Sequence, residues 1–235
     1  MKKLFIGLML TLSSMSLHAQ QTIFNVPSSD ITPQHKILAQ QQIDLNREQF
    51  RSMTTVNYGL GKHWEVGFNL YNVMRQDHHW IRNDTTTQIP YAPLLLVNAQ
   101  KIVEINEHWQ AGVGLQTGAN LNGTRPASWV GFFYANVEGH FHEDHYQVVA
   151  GTYTGNARFL GEGPNVGFHA GFDAGIFYQK FHLLGDWASN AHDYGQLVLG
   201  AEVYLTQHLP LAVGWRRSNK DGSQALVVQL TYTPK

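Results

Sequence analysis

The sequence predicts an all-β chain, an antiparallel up-and-down transmembrane β-barrel of about 12 strands. Three observations carry that expectation. The first is a short pattern that recurs five times: KHWEVGFNL at 62–70, EHWQAGVGL at 107–115, DHYQVVAGT at 144–152, KFHLLGDWA at 180–188 and QHLPLAVGW at 207–215. Each copy is a tight polar turn with a His, then an aromatic residue or Leu, then apolar residues alternating with small or polar ones. A period of two is the strand period. The spacing of the anchors shrinks from 45 to 28 residues, which excludes a solenoid of equal units. The second observation is composition: 43% hydrophobic residues and 22 Gly, with only 14% charged residues and no Cys. Without disulfides, stability comes from burial or from a membrane, and low charge suits an outer wall that meets lipid. The third is that tight connections alternate with mostly longer ones, the layout of outer-membrane barrels.

Along the chain, residues 1–19 predict a cleaved secretory signal. Lys2 and Lys3 precede an apolar stretch from Leu4 to Leu12, and Leu17-His18-Ala19 precedes Gln20. That apolar stretch is shorter than the roughly 20 residues of a spanning helix. Residues 20–34 are a short polar lead with two prolines, Pro27 and Pro33. Either a periplasmic lead or a small plug in the barrel mouth suits it. The barrel is expected over 35–235, with strands near 35–45, 50–59, 64–73, 92–104, 109–119, 128–140, 145–154, 165–179, 180–188, 194–205, 210–217 and 224–233. An even number places both termini on the short-turn side.

Alternation assigns the two faces. Trp64, Val66, Phe68 and Leu70 share the apolar face of one strand, and Phe168, Phe172 and Ile176 that of another. Trp64, Trp109, Tyr146 and Phe181 begin their strands at the turn and are expected as interfacial anchors. On 92–104, Leu95, Val97 and Ala99 face outward, so Lys101 does too, and near the turn its ammonium can snorkel. The opposite face places Asp44, Arg51, Glu65, Asn69, Tyr71, Glu138, His169, Asp173, His182, Asp186, Glu202 and Arg216 in the lumen, with His140 beside them. Tyr134, Tyr153, Phe177 and Tyr204 are expected to narrow it. Six inward carboxylates against two Arg favour cations if the lumen conducts, because a ring of carboxylates selects by charge. The competing reading is a set of ion pairs and hydrogen bonds filling a closed lumen. Gly on the inner face of three strands favours a wide passage.

No enzyme is expected. The pairs Ser189-Asn190 and Ser218-Asn219 are preceded two residues earlier by Trp187 and Arg216, neither of which is a general base, and such pairs usually cap loops. No metal and no cofactor are expected. The 13 His include His140, His142 and His145 at one turn and His78-His79 in a loop, but without a known ligand spacing. His63, His108, His145 and His208 each precede a strand anchor, which reads as interfacial polarity. A net charge of −1 without a basic patch excludes nucleic acid as a partner.

The unit Gly59-Leu60-Gly61-Lys62-His63-Trp64-Glu65-Val66-Gly67 resembles the turn-and-strand unit of small outer-membrane barrels. Leu199-Gly200-Ala201-Glu202-Val203-Tyr204-Leu205-Thr206, with Gly214-Trp215-Arg216, resembles their late strands. The family so resembled is the outer-membrane barrels grouped with meta-pathway phenol-degradation proteins and other candidate transporters. The resemblance implies a location in the outer membrane and passive or facilitated passage of a small molecule, an apolar or aromatic one. Membrane lipid, the barrel-assembly machinery and a small solute are the expected partners. Such barrels usually end in an aromatic read during assembly; here the last is Tyr232. The alternative is a structural or ligand-binding barrel with an occluded lumen that acts through its outer loops. A lipid-modifying barrel enzyme ranks below both.

Overall fold

Alternating residues build 12 long strands in the computed structural model, which describes residues 22–85, 87–122, 129–142, 144–177 and 180–234. The expected signal at 1–19 lies outside the described residues. The strands are β1 (Ile37–Leu45), β2 (Gln49–Gly61), β3 (Trp64–Gln76), β5 (Leu94–Glu104), β6 (Trp109–Asn120), β7 (Val130–Phe141), β8 (Tyr146–Gly155), β9 (Val166–Phe177), β10 (Phe181–Ala188), β11 (Gln196–Thr206), β12 (Leu209–Ser218) and β13 (Gln224–Tyr232). A two-residue strand, β4 (His79–Trp80), folds back on β3 in the longest loop. Every strand pairs antiparallel with its neighbours, and β1 pairs with β13 from Ala39↔Tyr232 to Leu45↔Leu226. The result is a closed antiparallel barrel of 12 strands, a form that leaves no sheet edge unpaired.

The turns explain part of the recurring His. Between β2 and β3, Lys62 and His63 both have positive φ (52° and 62°), as a two-residue turn matched to strand twist requires. His35 and His142 are left-handed as well (62° and 56°), a conformation in which His is enriched. Before β6, Asn106 Oδ1 accepts the amides of His108 and Trp109 (2.9 and 3.0 Å) and closes the turn as an Asx motif.

The outer face is apolar along the belt, from Phe68, Leu95, Val97 and Val113 to Phe168, Leu199, Val213 and Leu226, all exposed. Trp64, Trp109 and Tyr146 are exposed at the short-turn end and Phe181 is half-buried there. Trp129, Trp187 and Trp215 form a second exposed aromatic set at the long-loop end. Lys101 sits over Trp64, 5.5 Å from the ring, with Nζ donating to Lys62 O at 2.5 Å. Outward Gln41 is accommodated by bonds to Ser52 and Thr54 (2.8 and 2.6 Å), which satisfy its amide within the belt. Phe177 departs from simple alternation. The register shifts between Phe181 and His182, and Phe177 turns out, 66% exposed, instead of narrowing the lumen.

Phe172, midway along β9 and facing out beside Val148, gives a direct check of this wall. Phe172→Arg should lower stability by about 2–4 kcal/mol, since a charge near the bilayer midplane is desolvated, while Phe172→Leu should fold like the unmodified chain. Urea midpoints in lipid vesicles measure the difference.

Candidate functional site

The candidate site is the lumen, and it is occupied. Residues 22–34 run inside the barrel, with Ile23, Phe24 and Val26 buried against an inward apolar patch of Val149, Leu184, Val198, Ala212 and Val227. Each such side chain contributes about 1.5–3 kcal/mol when fully buried. The inner wall is therefore not uniformly polar. Its glycines do not widen a passage either. A Cβ on Gly200 or Gly214 would come within 2.8 or 2.9 Å of Phe24 Cζ, one on Gly171 within 2.6 Å of Ile23 Cδ1, and one on Gly112 within 2.7 Å of Ser29 Oγ. The space they leave is filled by this segment.

Three inward carboxylates hold the segment's backbone. Asp186 Oδ2 accepts three successive amides, Phe24, Asn25 and Val26, at 3.0, 2.5 and 3.0 Å. Glu138 accepts the Ser29 amide and Glu65 the Thr32 amide at 2.6 Å. Hydrogen bonds to charged acceptors are the stronger kind. Wall amides meet the segment's carbonyls: Asn136 Nδ2 donates to Pro27 O (2.5 Å), and Gln100 Nε2 to Ser28 O and Asp30 O (3.0 and 3.3 Å). Asp30 itself accepts from Gln110 and Gln147 at 3.2 and 3.0 Å, beside Glu138 and His140. Burial pushes the Asp30 carboxyl well above the usual carboxylate range, and the Glu138 charge adds to the shift.

Asp44 and Asp173 are paired within the wall. Asp44 receives Arg51 (Nε at 3.0 Å) and Arg216 (Nη1 at 2.7 Å), with Gln42 at 2.9 Å. Asn69 and Asn57 accept from Asn98 at 2.9 and 3.0 Å, and Asn57 donates to Glu65 at 2.9 Å. His169 bonds Asn136. His182 Nδ1 lies 2.6 Å from Asp173, and His182 stands opposite Glu202 in the β10–β11 pairing. Of the six inward carboxylates, Glu65, Glu138 and Asp186 bind the inner segment, Asp44 is bonded to both arginines, Asp173 pairs with His182, and Glu202 Oε1 is buried without a partner.

Two loops pack into the outer half. After β8 comes a short helix, α1 (Ala157–Leu160), which places Phe159 over Phe132 with centroids 4.7 Å apart. Tyr194, from the β10–β11 loop, lies 5.0 Å from both Phe132 and Tyr153, and its hydroxyl donates to Asn25 O at 3.2 Å. His192 accepts the Gly195 amide on Nδ1 (3.0 Å) and meets Tyr153 OH through Nε2 (3.0 Å), and burial lowers its pKa. Ser189 Oγ accepts the Phe168 amide at 2.8 Å and Ser218 Oγ that of Lys220 at 3.2 Å, so both hydroxyls hold loops. Between the tip of the inner segment and these loops lies a cavity. Aromatic faces of Phe24, Tyr71, Phe132, Phe159 and Tyr194 and the amides of Asn25, Gln40, Gln42, Gln116 and Gln196 line it, with Arg51 at one side.

Among the described residues, two groups could offer metal donors: Asp30, Glu138 and His140, and Asp173, His182 and Glu202. The turn His142 and His145 meet edge to face, centroids 5.1 Å apart. Sequence reasoning missed the inner segment's contacts and the loop aromatics Phe159 and Tyr194. The one available signal was Ile23-Phe24 and Val26, an apolar cluster in an otherwise polar lead.

No family model matches the chain, and no curated protein sequence does. Among solved structures the chain is similar to the KdgM porin, with a TM-score of 0.57 at 7% identity, over 84% of this chain and 99% of that one. The same porin in complex with disordered oligogalacturonate gives 0.55 at 7% identity over the same shares. The outer membrane protein Omp33 of Acinetobacter baumannii gives 0.48 at 8% identity, over 85% and 98%. The fold is that of outer-membrane β-barrels.

Proposed function

We propose that the chain is an outer-membrane barrel for a small, uncharged amphipathic molecule, aromatic or apolar in part. The solute first enters the cavity beneath the outer loops and passes when residues 22–34 withdraw toward the short-turn side. The observation that carries this reading is the cavity lining: aromatic faces to stack a flat apolar surface and several amides to orient a few polar groups, the usual mix of a small-molecule site. The solved KdgM complex holds oligogalacturonate, an acidic oligosaccharide. A similar ligand fits poorly here, because the cavity's Arg51 is already paired with Asp44 and Asp193 adds a negative charge to the lining. The apolar outer belt and its two aromatic sets suit lipid contact.

A second reading is favoured by one observation. Segment 22–34 and the loops bearing Phe159 and Tyr194 close both ends, as in a binding barrel that never opens. Liposome swelling separates the two. A variant lacking residues 22–33 should swell vesicles faster in a neutral phenolic solute than in an acidic sugar of similar size, and the full chain should do so slowly. Swelling by neither protein in any solute would sink the transport reading and leave the closed binding barrel.

A further inference from the structure

We propose that Asp173, His182 and Glu202 form a binding site for a divalent cation, zinc by its donor set, that ties β9, β10 and β11 together. Three consecutive strands supply the three residues near the short-turn end. His182 pairs directly with Glu202 across β10–β11 and with Gly175 across β9–β10, two residues from Asp173. One donor atom from each residue lies within 4.8 Å of the other two. With Nδ1 held by Asp173 at 2.6 Å, Nε2 and a Glu202 oxygen are the atoms that take the ion at about 2.0–2.2 Å after small side-chain movements, and Asp173 orients the imidazole. All three residues are buried, His182 and Glu202 to 1% exposure.

The independent observation is what the cluster leaves unsatisfied. His182 Nε2 and Glu202 Oε1 are buried and make no hydrogen bond. A buried lone pair or N–H without a partner costs about 1–3 kcal/mol, so two at adjacent positions point to a missing ligand. The other candidate cluster shows the contrast. At Asp30, Glu138 and His140, the carboxylates already accept Gln110 and Gln147 amides, and His140 bonds Glu138 at 2.9 Å. That group is a complete hydrogen-bond network with no donor left over.

The chemistry fits zinc. Imidazole nitrogen with carboxylate oxygen is a common zinc donor set, and waters complete the four positions. The dication also neutralises two carboxylates that otherwise face each other away from bulk water. Gly175 keeps the space open, since a Cβ there would lie 3.3 Å from His182 Cε1.

The test uses the full chain, stripped with EDTA, refolded in detergent and dialysed against zinc. One more zinc per chain should be retained by the unmodified protein than by Glu202→Gln, with an affinity loss beyond about tenfold, and its Tm should rise with zinc concentration. The exposed His78, His79 and His142 and the half-buried His145 are a built-in background, so equal zinc in both proteins overturns the proposal. If Glu202→Gln does not fold, cobalt in the unmodified chain decides. Intense visible bands of low-coordinate cobalt with nitrogen and oxygen donors support the site; only the weak bands of octahedral, water-ligated cobalt overturn it.

Discussion

A chain lacking residues 22–33 should conduct ions where the full chain is closed. In planar bilayers the unmodified protein should show rare or no steps, and the shortened one long-lived open levels. The expectation follows from what the segment fills. It covers the apolar patch from Val149 to Val227, lies in the space left by Gly171, Gly200 and Gly214, and engages Asp186, Glu138 and Glu65. Its removal returns those three carboxylates to water. The open level should therefore prefer cations, and changing Glu65 and Glu138 to Gln and Asp186 to Asn in the shortened chain should weaken that preference. Reversal potentials in a salt gradient report it. The 12-strand wall does not need the segment for its pairing, so heat-modifiable mobility in SDS should persist. Equal, closed behaviour of both proteins would place the block in the outer loops instead.

Asp44→Ala should be the most damaging single change in the wall. Asp44 is 2% exposed and is the shared acceptor of Arg51 and Arg216, which stand on β2 and β12 on either side of the β1–β13 seam. Removing the carboxylate leaves two guanidinium groups close together without a counter-charge. Breaking a buried pair in this way costs about 3–5 kcal/mol. A urea midpoint shift of that size is expected, with Asp44→Asn intermediate because it keeps the hydrogen bonds to Gln42 and to one Arg. A loss no larger than that of an exposed pair, below about 1 kcal/mol, would mean that water screens the seam.

The wall was legible because its physics is local. Strand alternation, turn residues and anchors such as Trp64 and Trp109 repeat within a few residues, and the alternation leaves Asp44, Glu65, Asp186 and Glu202 buried on their strands. Exceptions arise where register breaks: the shift beside His182 turned Phe177 outward. The second aromatic set, Trp129, Trp187 and Trp215, was readable from the same rule applied to the other strand ends. The inner segment was not. It has no period, and its partners lie far away in sequence: Asp186 is 162 residues from Phe24, and Glu138 is 109 from Ser29. Inward carboxylates look alike in sequence whether they face water, an arginine or a backbone amide. The glycines carried the same ambiguity, since an absent side chain shows space without showing what fills it.

Amide hydrogen exchange of the full chain, folded in lipid nanodiscs, tests most directly whether residues 22–34 occupy the lumen. The amides of Phe24, Asn25, Val26, Ser29 and Thr32 each point at a wall carboxylate. They should exchange more slowly than the loop amide of exposed Asp221, and Asp186→Ala should speed Phe24, Asn25 and Val26 first. Exchange of all five at the rate of an unstructured peptide, in a barrel whose strand amides stay protected, would contradict the occupied lumen.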